Sequence, residues 1–265
     1  MTEGRGSGCA AKRTERGNAT MPPLSAYVTN GIWTFSRPFT RVGFLYIGGR
    51  STAIKLSDGG VWVLASTPLD EPTKKTIDNM GPVKYIIAAD RVHYLYVAQF
   101  HKAYPEAKVL GVEPLLAKEE QLGLKFSNCN PGAPHPDLFC TQFLTCTYSY
   151  FSGFHNKDVA FLHKPSRTLI QADLLFNFPA TEQYSQSAWP FNRGLAFLGL
   201  FGAITPFSSL HQKMAINMGR DKIAMRRDAK TVAEWDFDRI IPCHGDVIEK
   251  DGNKAWRAAY KAYLE

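Results

Sequence analysis

Short apolar runs, each stopped by a charged or imidazole side chain, constrain the fold of this chain more than any other feature. VKYIIAA (83–89) runs into Asp90, and His93 follows three residues later. RTLIQAD ends in Asp173, and DRIIPCHG delivers His244. Runs this short, rich in β-branched residues and bounded by turn signals, read as buried strands rather than helices. A strand without alternation is covered on both faces, so polar side chains collect where the strands end.

The remaining runs fix the element order. GIWTF (31–35), TAIKL (52–56) and VWVLA (61–65) are β-rich, and SDGG (57–60) between the last two is a hairpin signal. Residues 70–81, DEPTKKTIDNMG, open with acids and a proline and close on glycine, which predicts a helix. A second helix is expected from about His93 to Tyr104, then a strand at 107–112 and a short helix at EPLLAKEEQ. Strands resume at 138–151, 158–163 and 167–173, the last two forming a hairpin across KPS. An irregular aromatic stretch spans 176 to about 210. Helical patterns follow at 211–225 and 228–235, then the strand 238–245 and a helix at about 253–264. Each half runs strands first and strand–helix units after. That order predicts a layered α/β domain of two similar halves packed face to face.

Composition excludes several classes. With 265 residues, 45% of them hydrophobic and 21% charged, the chain can bury a large core and is not globally disordered. The net charge of +7 favours anionic substrates or surfaces. No basic stripe interleaved with aromatics is present, so nucleic acid is not an expected partner. Five cysteines without a C-x-x-C pair read as reduced thiols of a cytoplasmic protein. Residues 1–24 are expected to be a disordered leader ahead of a single domain, 25–265. The apolar stretch 194–207 falls short of the ~20 residues that a membrane span needs.

Asp90, His93, His155, Asp173 and His244 follow or separate apolar strands. Carboxylates and imidazoles delivered to one sheet edge from distant segments are what a metal centre requires, and together they suit Zn²⁺, Fe²⁺ or Mn²⁺. Taken singly, each could be an ordinary loop residue. His101, His135 and His211 read as surface or satisfied core residues, and His163 as a solvent-facing residue of the hairpin.

RTLIQADLLFN and DRIIPCHGDVI resemble two closing segments of the metallo-β-lactamase-fold superfamily, and residues 51–90 resemble its opening hairpin, helix and strand. The resemblance runs from about Gly31 to Leu264 and implies an αββα four-layer sandwich with its site at the top edge of two facing sheets. The family's first motif, His-x-His-x-Asp-His, falls on residues 88–93. Ala88 then stands for its first histidine, Asp90 for the second, Val92 for the acid and His93 for the last. His155, Asp173 and His244 match the later ligands, Asp173 being the bridging one. The resemblance implies one or two metal ions, zinc first, held by some of these five residues.

The activity implied is hydrolysis of an ester, thioester, lactone or related carbonyl compound by metal-generated hydroxide. Asp173 and Asp90 are the carboxylates implied for catalysis, Asp173 orienting the nucleophile or taking its proton. The aromatic content of 176–207 suggests an apolar or aromatic small molecule. The departures at Ala88 and Val92 keep two alternatives open: a catalytically silent binding protein, and a mononuclear iron enzyme of the same fold.

Overall fold

The computed structural model describes residues 24–41, 45–128, 146–186 and 204–265. Residues 1–23 of the expected leader, 138–145 of the expected strand and 187–203 of the aromatic stretch lie outside the described residues. The described residues begin with strand β1 at Leu24–Thr29.

Two mixed sheets carry the fold. The first has seven strands, in the order β1, β2 (Ile32–Arg37), β5 (Gly49–Lys55), β6 (Val61–Leu64), β7 (Val83–Ala88), β8 (Lys108–Gly111) and β9 (Ser127–Asn128). Its first four strands are antiparallel, and from β6 onward the pairing is parallel. A small ribbon of β3 (Thr40–Arg41) and β4 (Leu45–Tyr46) stands apart. The second sheet orders β10 (Cys146–Tyr150), β11 (Val159–His163), β12 (Thr168–Gln171) and β13 (Arg239–Pro242), with only the last pair parallel.

Period-2 alternation along the second sheet builds the layers. Phe161, Ile170 and Ile241 turn toward the first sheet and share one core with Trp62, Val63 and Ile86. Trp62 meets Phe161 edge to face across the two sheets, with centroids 5.1 Å apart. The neighbouring residues Leu162, Leu169 and Ile240 turn the other way, onto Trp256, Tyr260 and Met225 of the C-terminal helices. Helices α1 (Glu71–Met80) and α2 (Val97–Ala103) bury Ile77, Met80, Val97 and Phe100 against the first sheet. Two sheets face to face with helices outside make the αββα sandwich.

Helix α1 forms where the sequence predicts it. Asp70 caps it, its side chain accepting from Thr73 N, and proline sits in the first turn. Short helices α3 (Glu113–Leu116), α4 (Glu119–Leu122) and α5 (Thr181–Tyr184) lead to α6 (Ser209–Met218) and α7 (Lys222–Ala233). The single helical pattern expected at 211–225 is broken between them, because Asp221 caps a new helix by accepting from Ile223 N and Ala224 N. The chain closes with α8 (Gly252–Ala259) and α9 (Lys261–Leu264).

One expectation is corrected. His163 does not face solvent: it is 3% exposed. The hairpin turn is a 3₁₀ turn at Lys164–Ser166, as expected, and it folds back so that Ser166 Oγ lies 2.7 Å from His163 Nδ1. His163 is a strand residue, paired with Cys146 on one side and Thr168 on the other.

Candidate metal centre

Strand register brings the site together. On the parallel pair β12 and β13, Gln171 stands opposite Pro242. Two residues beyond that pair come Asp173 and His244, side by side. Strand β7 of the facing sheet ends at Ala88 and hands the chain to Asp90 and His93. His93, Asp173 and His244 each offer one ligand atom, and these atoms lie within 4.8 Å of one another.

Asp173 and His244 are buried, His93 is partly buried, and the three are closely held. His93 Nε2 and His244 Nε2 face each other at 3.1 Å, and Asp173 Oδ1 is 3.4 Å from the latter and 3.9 Å from the former. Each imidazole is fixed from behind. His93 Nδ1 donates to Asp90 Oδ2 at 2.9 Å, and His244 Nδ1 donates to the carbonyl of Gly48 at 2.7 Å. Both rings therefore direct Nε2 to the same point, the arrangement that a histidine ligand needs.

Asp90 does not itself join the cluster. Its Oδ1 accepts from the backbone N–H of Val92 and of His93, both at 2.7 Å, which curls the loop after β7. This delays α2 to Val97, four residues after the expected start. Asp173 is held as firmly: Asn156 Nδ2 donates to its Oδ2 at 2.5 Å, and its backbone N–H donates to Asp158 Oδ2 at 2.5 Å. Burial, then the nearby Asp90 and Asp173, push the Asp158 carboxyl well above the usual carboxylate range. Burial alone would lower His93, but the carboxylates of Asp90 and Asp173 outweigh it and raise the imidazole to about 10. Burial and the charge on His93 push His244 down to about 3.

The donor set fits a metal ion. Asp173 Oδ1 is buried and accepts no hydrogen bond, an unusual state for a carboxylate oxygen. Ligands about 2.0–2.1 Å from a tetrahedral ion lie roughly 3.3 Å apart. The three separations here bracket that value.

Beyond the triad, Arg50 spans the two sheets. Its guanidinium is fully buried and donates to Ser36 Oγ, to the carbonyls of Pro242 and Gly245 on either side of His244, and to Glu182 at 2.5 Å. Phe39 and Phe176 stack on His244, with centroids 6.1 and 5.9 Å away. His155 stands outside the cluster, with Arg91 Nη2 at 2.9 Å from its Nε2 and Arg220 Nε at 3.4 Å from its Nδ1. Burial, then Arg91 and Arg220, lower its pKa. Ala88 and Val92 offer no donor atom.

Asn156, Asp158, Gly48 and Arg50 escaped the sequence reading. Gly48 acts through its carbonyl, which no side-chain pattern reveals. Asn156 and Asp158 closely follow a recognisable histidine, His155, and that proximity was the one available signal.

The fold matches known structures. A metallo-β-lactamase, FIM-1 from Pseudomonas aeruginosa in its mono-zinc form, superposes with a TM-score of 0.56 and 12% identity, over 92% of this chain and 98% of that one. A metallo-β-lactamase from Hirschia baltica gives 0.58 and 10%, over 92% and 98%. A flavoprotein from Thermotoga maritima gives 0.63 and 12%, over 92% of this chain and 62% of that one. The chain has the metallo-β-lactamase fold. It belongs to the family described as Domain of unknown function (DUF4336), whose model matches residues 29–188, a span holding Asp90, His93 and Asp173. Compared by sequence with curated proteins, the chain matches none. Among the described residues, no helix is long and apolar enough to cross a membrane.

Proposed function

We propose that this protein is a metal-dependent hydrolase of a small carbonyl compound (an ester, thioester or lactone) with one divalent ion held by His93, Asp173 and His244. One observation carries the reading: the buried, unpartnered Oδ1 of Asp173 faces two imidazole nitrogens whose rings are both fixed from behind. When bound, a divalent ion supplies Lewis acidity, enough to make water a nucleophile near neutral pH.

The chain's own residues set the conditions. Asp90 holds the Nδ1 proton of His93, so the proton that an incoming ion displaces is the one on Nε2. The Gly48 carbonyl holds the Nδ1 proton of His244, whose Nε2 lone pair is left for the ion. Asn156 occupies one oxygen of Asp173 and leaves the other free. Phe39 and Phe176 cover His244 on its flanks and keep bulk water off that ligand. Asp90 acts through His93, as a positioning residue, whereas Asp173 stands where a nucleophile would be oriented. The Phe176 ring also offers an apolar wall, consistent with an apolar or aromatic substrate.

Two histidines and one carboxylate also form a donor set suited to non-haem iron, and this supports a mononuclear iron enzyme as the second reading. The test is turnover of a model aryl ester, thioester and lactone by the metal-loaded chain. Turnover that is lost on chelation and in Asp173→Ala supports the hydrolase. A loaded chain that turns over none of them, yet consumes oxygen with iron, supports the second reading. A chain that does neither is a binding protein.

A further inference from the structure

The loop after β10 is laced to two other segments through its backbone. Arg91 N donates to the carbonyl of Asn156 at 3.0 Å, His155 N to that of Met218 at 2.7 Å, and Arg220 N to that of Gly153 at 2.7 Å. These ties place the side chains of Arg91 and Arg220 on opposite nitrogens of His155. A guanidinium only donates, and a neutral imidazole accepts at one nitrogen only. One of the two contacts therefore sets an N–H against an N–H. Neither guanidinium has a carboxylate partner among the ion pairs of the described residues. Two like charges thus converge on one ring with no counter-charge. An oxyanion reaching both forks would supply the counter-charge that the ion pairs of the described residues do not.

We propose that Arg91, His155 and Arg220 form an oxyanion subsite that seats a carboxylate or phosphate group of the substrate beside the metal triad. As a substrate subsite it rests on the hydrolase reading; as an anion site it does not. Its position follows from chain adjacency. Arg91 directly follows Asp90, which holds His93, and His155 directly precedes Asn156, which holds Asp173. The subsite therefore shares two chain segments with the residues that hold the triad. The net charge of +7 draws anions in the same sense.

The test is calorimetric titration of the full chain with inorganic phosphate and, separately, with acetate, in chloride at matched ionic strength. The parent is expected to bind at least one of them saturably, the tighter one naming the group as phosphate or carboxylate. R91Q and R220Q are each expected to weaken that binding roughly tenfold, the loss of one charge-assisted donor pair. Arg220 is exposed, so R220Q leaves the fold intact even if R91Q does not. Failure of the parent to bind either anion, or unchanged affinity in R220Q, overturns the proposal. The titration is repeated after metal removal. Binding that survives this step stands whether or not the chain is a hydrolase, and absent binding leaves the hydrolase test untouched.

Discussion

Replacing Asp90 by asparagine isolates the role of one buried carboxylate. Asparagine is nearly isosteric, and its Oδ1 can accept the same two backbone N–H groups, from Val92 and His93. The loop after β7 should therefore keep its shape. What changes is the atom 2.9 Å from His93 Nδ1, where an acceptor becomes an NH₂ donor. Without the Asp90 carboxylate that raises it, His93 is left neutral with its one proton on Nε2, the nitrogen that faces His244 at 3.1 Å and is needed for a metal ion. Restoring the productive tautomer would set two donors against each other, at a cost of about 1–3 kcal/mol. Metal affinity should fall roughly 10- to 100-fold, the range expected for a partner behind a ligand. The assay is zinc competition against a chromophoric chelator, with parent, D90N and H244A compared. D90N should fall between the other two. Parental affinity in D90N would refute the tautomer argument, and a loss as large as that in H244A would make Asp90 a ligand in its own right.

His211 gives a pH prediction. Burial lowers its pKa from 6.5 to about 4, and its Nε2 accepts from Phe176 N, so the fold holds it neutral. The unfolded chain takes up the proton first as pH falls, so stability is lost between pH 6.5 and 4, by about 2 kcal/mol at pH 5. H211Q keeps an acceptor but does not titrate, and its Tm should drop about 4–8 °C less than the parent's between pH 7 and pH 5. Arg50→Met leaves the carbonyls of Pro242 and Gly245 without their buried donor, and should cost about 3 kcal/mol in chemical denaturation. Gly48→Ala should destabilise the fold and weaken zinc binding together. Gly48 has a φ of +67°, a Cβ there would lie 2.0 Å from Gln183 Oε1, and its carbonyl holds His244. Unchanged zinc affinity in G48A would separate Gly48 from the site.

The sequence made the strands legible because buried strands must be apolar, and it made their polar ends legible for the same reason. Asp173 and His244 could be paired in advance only as members of a pattern. The register of Gln171 opposite Pro242 is what sets them side by side. Asp90 and His93 were recognisable as neighbours of a strand end, but not their division of labour. That depends on the two backbone N–H groups that turn Asp90 inward. The missing parts act over long separations or through the backbone: Gly48 to His244, Asn156 to Asp173, and Arg50 to the loop around His244. His163 was misplaced although its strand and the KPS turn were legible, because the strand's end does not reveal that the turn folds back over it, with Ser166 Oγ 2.7 Å from its Nδ1.

Elemental analysis of the purified full chain, beside Asp173→Ala and His244→Ala, tests the central claim most directly. A three-ligand centre predicts about one equivalent of zinc, iron or manganese in the parent and its loss in both variants, with the fold retained. A parent that takes up no metal even after reconstitution, or variants that keep theirs, would contradict it.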